Sequence, residues 1–139
     1  MELQTVNIGV VLMASVVAMA IGSLWYSPLL FGKQWTKLVG FSEKQLKEMY
    51  AKGAAKSFAW GFFSNLVMIY FLAQLFAWTG VSSLGEGVRL VLAVWVGFIL
   101  TLTAGSVLWE GKPFKLYLLN GLYWFVVLLA NGFILATWS

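Results

Sequence analysis

The sequence contains no cysteine, no histidine and no aspartate, and only 10% of its 139 residues are charged. Without thiols or imidazoles the chain can form no disulfide, run no thiolate chemistry and shuttle no proton on histidine. The usual zinc, haem and iron–sulfur ligand sets are excluded for the same reason. Acid and base work would fall to Glu110, a lysine or a tyrosine, and nothing pairs them into a recognisable dyad. The chain therefore reads as non-enzymatic, with no cofactor, no catalytic residue and no metal site expected.

What fills the sequence instead is apolar: 61% of positions are hydrophobic and 17% aromatic, whereas ordinary soluble domains carry about a quarter charged residues. Four apolar stretches, about 6–27, 57–79, 89–109 and 116–138, are each long enough to cross a bilayer. They predict an all-α polytopic membrane protein, a single domain over residues 1–139 built as a four-transmembrane-helix bundle. Ala18-Met19-Ala20 imitates a signal-peptidase site. No Lys or Arg precedes that apolar run, which continues to Trp25-Tyr26, so it reads as a retained helix.

Charge sets the expected orientation. Lys33, Lys37, Lys44, Lys47, Lys52 and Lys56 lie between the first two spans, and Lys112 and Lys115 between the last two; the other side has Arg89. The positive-inside rule puts these lysine loops in the cytoplasm and both termini outside, periplasmic if the cell is bacterial and the membrane its inner one. The net charge of +4 reads as a topology signal and an attraction to membrane lipids; with no continuous basic groove, nucleic acid is not an expected partner. Trp25, Tyr26, Trp35, Trp60 and Trp109 fall near the lysine-rich interface and Trp78 and Trp138 near the other, as aromatic anchors do, while Trp95 and Trp124 sit deeper.

Between the first two spans the sequence predicts a short amphipathic helix over about 42–52. Ser42 and Gln45 have capping-box spacing, Phe41 and Leu46 are placed as a staple, and Gly53 supplies a stop. Leu46, Met49 and Tyr50 share one face, which suits a helix lying on the membrane or covering the cytoplasmic mouth of the bundle. A possible duplication is also visible. Gly22-Ser23-Leu24-Trp25 with Pro28 beyond it parallels Gly105-Ser106-Val107-Leu108-Trp109 with Pro113, and the two following spans both end in Trp.

The segment Gly22-Ser23-Leu24-Trp25-Tyr26-Ser27-Pro28-Leu29-Leu30-Phe31-Gly32-Lys33-Gln34-Trp35 resembles the signature of a bacterial membrane-protein family catalogued as domain of unknown function 1761. Asn120-Gly121-Leu122-Tyr123-Trp124 looks like that family's last helix. The resemblance covers nearly the whole chain and implies a small four-helix membrane protein, without an established activity to transfer. Physically, Trp25, Tyr26, Ser27 and Pro28 form an interface motif: two amphipathic rings followed by a helix breaker. A second reading makes Tyr26 and Ser27 hydrogen-bonding groups at a cytoplasmic pocket.

Candidate functional residues are the polar ones inside spans, where they need partners. With that orientation Asn65, Thr101, Ser106 and Asn120 fall in the lysine-rich half and form a candidate polar intramembrane cluster, Asn65, Thr101 and Asn120 facing the bundle or a subunit interface and none facing lipid. Gln74 is expected to reach toward the opposite interface. Glu110, the carboxylate abutting a span on the lysine-rich side, is the candidate ion or proton site. Small-residue rows, Ala14/Ala18/Gly22 and Ala93/Gly97/Thr101/Gly105, mark close helix contacts. The leading functional expectation is a non-catalytic bundle that forms homo-oligomers or supports a membrane partner; the alternative is a small channel or transporter for an unidentified solute or ion. No span carries a central acid, which argues against proton-coupled multidrug export of the small four-helix type.

Overall fold

The computed structural model of the protein describes residues 1–138, apart from the side chain of Tyr50, so the part of the 42–52 apolar face assigned to Tyr50 lies outside the described residues. Every regular element among them is helical. Helix α1 is Ile8–Trp25, α2 Gly32–Val39, α3 Glu43–Thr79, α4 Leu84–Leu108 and α5 Phe114–Trp138. Four helices are long and apolar enough to cross a membrane: α1, the Ala51–Thr79 part of α3, α4 and α5.

The starts of α1, α3 and α4 have a local cause. Asn7 accepts from the Val10 amide at 3.3 Å to cap α1. At α3 the capping box is complete, with Ser42 Oγ accepting from Gln45 N at 3.1 Å and Gln45 Oε1 accepting from Ser42 N at 2.8 Å. Helix α4 begins at Leu84, five residues before the apolar run, because Ser83 Oγ accepts from the Glu86 amide while the Glu86 carboxylate accepts from Ser82 N. Gly40 and Gly80 close α2 and α3 in the left-handed region, at φ 89° and 71°.

The loop after α1 differs from expectation in two ways. The 42–52 segment is helical, but Gly53 breaks helical geometry at one residue and the chain then continues into the membrane part of α3. One glycine kinks the rod without ending it. Ahead of it lies α2, where Trp35, Leu38 and Val39 are half-buried and Lys33, Gln34 and Lys37 exposed.

Helices α1 and α5 form the centre: α3 packs on α1, α4 packs on α5, and α3 touches α5 more lightly. Helices α3 and α4 come together at the end opposite the lysines, where the Phe76 ring lies against Gly87. The packing is therefore not that of two equivalent hairpins, since the α1–α5 contact has no counterpart between α4 and α3. The core is concentrated in that opposite half. Val10 to Ala18 of α1, Ile69 to Phe76 of α3, Val91 of α4 and Val127 to Leu135 of α5 supply most of its buried side chains.

Polar groups are tied down there too. Gln74 is fully buried and turned inward, not toward the interface. Its Oε1 accepts from Gln4 N and its Nε2 donates to Gln4 O, both at 2.8 Å. Trp78 Nε1 donates to Glu2 O at 2.8 Å, so the segment before α1 is stitched onto the end of α3.

Candidate functional site

Toward the lysine-rich end the packing loosens. From Trp95 to Leu100 helix α4 widens into a π-helical stretch, and it breaks again at Ala104; no residue of these last turns is buried. A wide turn inserts a residue and rotates everything after it, and it frees carbonyls that need other donors. Those donors are present. Tyr117 of α5 donates to Leu100 O at 2.7 Å, Thr101 to Gly97 O at 2.7 Å, Thr103 to Ile99 O at 2.6 Å and Ser106 to Thr103 O at 2.9 Å. Trp95 Nε1 reaches Gly121 O at 2.8 Å and holds α4 to α5 beside the wide turn.

Here α3 and α4 form opposite walls of a cleft of about 920 Å³. Ser57, Phe58 and Met49 lie on the α3 side; Leu102, Thr103, Ser106 and Trp109 lie on the α4 side. Tyr117, Asn120, Tyr123 and Trp124 of α5 line it as well, with Tyr26, Trp35 and Thr36 from α2 and the turn before it. A second cavity of about 600 Å³ adjoins it, sharing Tyr26, Ser57, Phe58, Tyr123 and Trp124 and extending along α1 and α3 past Met19, Gly61 and Asn65. Ligand sites commonly measure about 300–1,000 Å³ and mix apolar walls with a few placed polar groups. This cleft has that size and composition.

An aromatic chain builds its wall. Phe41 meets Trp35 at 5.7 Å between ring centroids, Trp35 meets Tyr26 at 5.6 Å, Tyr26 meets Tyr123 at 5.1 Å and Tyr123 meets Trp124 at 4.9 Å. Trp25 packs on Phe31 at 4.6 Å and on Tyr123 at 6.3 Å. Both rings of the interface motif thus turn toward the protein, and both are half-buried. The motif's role is to dock the end of α1 on α5. Gly22 permits this, because a Cβ there would stand 3.0 Å from the Tyr123 hydroxyl oxygen. Ser27 Oγ donates to Leu24 O at 2.7 Å, and its carbonyl accepts from Gly32 N at 2.8 Å, so Ser27 shapes the turn that aims Tyr26.

The four polar residues of the expected cluster do not meet. The Tyr26 hydroxyl donates to Asn120 Oδ1 at 2.7 Å in the cleft. Ser106 lines the same cavity with its hydroxyl on its own helix. Asn65 is buried and lines the second cavity, where Nδ2 approaches Met19 Sδ at 3.3 Å. Thr101 is exposed. It sits on the exposed face of α4 that also carries Ala93 and Gly97, and it is not part of the cleft lining. Glu110 is exposed and lines the cleft, as the sole charged residue among its lining. Tyr26 stood out in the sequence within the Trp25 to Pro28 motif and Tyr123 within Asn120 to Trp124; their pairing was not visible there. Among the described residues no group of three His, Cys, Asp or Glu side chains is placed to hold a metal ion.

Four helices long and apolar enough to cross a membrane agree with what the family resemblance implied. Residues 10–136 match the family described as Protein of unknown function (DUF1761). The chain belongs to that family. No curated protein and no solved structure matches it.

Proposed function

We propose that this DUF1761 protein binds a small amphiphilic solute in the cleft between α3 and α4 and acts as a small carrier or channel component, without converting the solute chemically. One observation carries this reading. The helices are packed through the half away from the lysines and separated around a polar and aromatic cavity of about 920 Å³ at the lysine-rich end. The positive-inside rule supports a cytoplasmic position for that end and an outside position for both termini; the bacterial inner membrane is the location proposed with it. The Tyr26–Asn120 pair and Ser106 supply hydrogen bonds, and the aromatic wall supplies apolar surface. The test is flux into proteoliposomes of a neutral polyol, an amino acid and the lipophilic cation tetraphenylphosphonium. At least one should move above protein-free background, and Ser106→Trp, which fills the cleft, should abolish the movement. Background rates for all three would count against the reading.

A second reading concerns assembly and is compatible with the first. The Ala93, Gly97 and Thr101 row lies exposed on α4, and a Cβ at Gly97 would meet nothing within 4 Å. The corresponding row on α1 is already used, with Ala14 and Ala18 fully buried. An open small-residue face lets a second helix approach closely, so α4 is the proposed homo-oligomer contact. Native mass spectrometry should show an oligomer that Gly97→Leu dissociates; a monomer at all concentrations would contradict it.

A further inference from the structure

A separate groove of about 600 Å³ lies on the other side of the α1–α2 turn, between that turn, α2 and the first turns of α5. Its chemistry is ordered by position along the chain. Lys37 and Gln34 come from the exposed face of α2, outside the apolar spans, and Lys115 from the start of α5. Leu118 and Leu122, one helical turn apart and both exposed, continue along α5 away from them, with Trp25 beside. No carboxylate lines the groove. Two ammonium groups and an amide above a leucine column match one kind of molecule, an anionic phospholipid whose phosphate meets the lysines and whose acyl chain lies along α5. Basic pockets between helices at a membrane surface recognise such headgroups.

We infer that the groove formed by Lys37, Gln34 and Lys115 above Leu118 and Leu122 is a binding site for one anionic phospholipid. It is distinct from the α3–α4 cleft, and the two share no lining residue. The lipid would clamp α2 to α5 and so brace the turn that carries Tyr26.

The experiment is native mass spectrometry of the full chain in detergent, titrated with phosphatidylglycerol or phosphatidylcholine of identical acyl chains. One phosphatidylglycerol per protomer should be retained in preference to phosphatidylcholine. In Lys37→Gln/Lys115→Gln that preference should fall about 30-fold, since each lysine near a membrane surface contributes about a factor of five. The control Lys44→Gln/Lys47→Gln changes the net charge equally and should keep the preference. Leu122→Trp, which occupies the groove below the lysines, should reduce retention of both lipids. Equal retention of the two lipids by the unaltered protein would overturn the site. So would an equal loss in both lysine pairs, which would show diffuse attraction to the basic end.

Discussion

Gly32 occupies a position where no side chain fits. A Cβ there would lie 2.4 Å from the Tyr26 carbonyl oxygen and 2.7 Å from the Ser27 carbonyl carbon and oxygen, all backbone atoms that cannot turn aside. Gly32→Ala should therefore cost about 3 kcal/mol, the upper range for overpacking, measured as loss of the folded fraction in a mild-detergent denaturation series. Tyr26→Phe removes the hydroxyl that bonds Asn120 at 2.7 Å. Interhelical bonds in membranes are worth about 0.6–1.7 kcal/mol, and a Tyr26→Phe/Asn120→Leu double-mutant cycle should return a coupling in that range. Asn131 is the opposite case: fully buried, with neither Nδ2 nor Oδ1 partnered among the described residues. Asn131→Leu should leave stability unchanged or raise it by up to about 2 kcal/mol, because an unpaired amide is costly in an apolar core. A clear loss on thermal unfolding would show that the amide has a partner. At this scale the sequence was informative about which residues matter and not about their pairing. Asn120 stood out as an in-span amide, but its partner lies 94 positions away and a single sequence does not encode that distance locally.

Elements follow local chemistry where caps are present. The Ser42–Gln45 box was legible because its reciprocal bonds depend on a three-residue spacing alone. Ser42→Ala should remove about 1 kcal/mol of local stability, read as faster amide exchange in the first turn of α3 with the membrane part of the helix unchanged. The Ser83 cap was equally available in the sequence and explains why α4 starts before its apolar run. Helix α2 was legible in retrospect from Trp35, Leu38 and Val39, which alternate with exposed Lys33, Gln34 and Lys37. Its eight residues are too few for periodicity to separate from a loop. The π-helical stretch was not legible, since Trp95–Leu100 is an ordinary apolar run. What stabilises its geometry is tertiary, the Tyr117 and Trp95 bonds between α4 and α5. Helix α4 is also the least buried of the four long helices, and Thr101 shares its exposed face with Ala93 and Gly97.

At the scale of the molecule, hydropathy alone established four long apolar helices, and the direction of their separation came from side-chain size. Small residues Ala14 and Ala18 let α1 sit close to its neighbours in one half, whereas Trp35, Phe58, Trp109, Tyr117, Tyr123 and Trp124 surround open space in the other. The central claim is that α3 and α4 stand apart at the lysine-rich end when the protein is in a bilayer. Because the chain has no native cysteine, the pair Ser57→Cys/Ser106→Cys reports on this without background. These residues face the cleft from its two walls, and a disulfide needs Cα atoms within about 7 Å of each other. In proteoliposomes under a mild oxidant, an open cleft predicts no intramolecular disulfide and labelling of both thiols by a water-soluble maleimide. Rapid disulfide formation with loss of labelling would show the walls in contact and contradict the account.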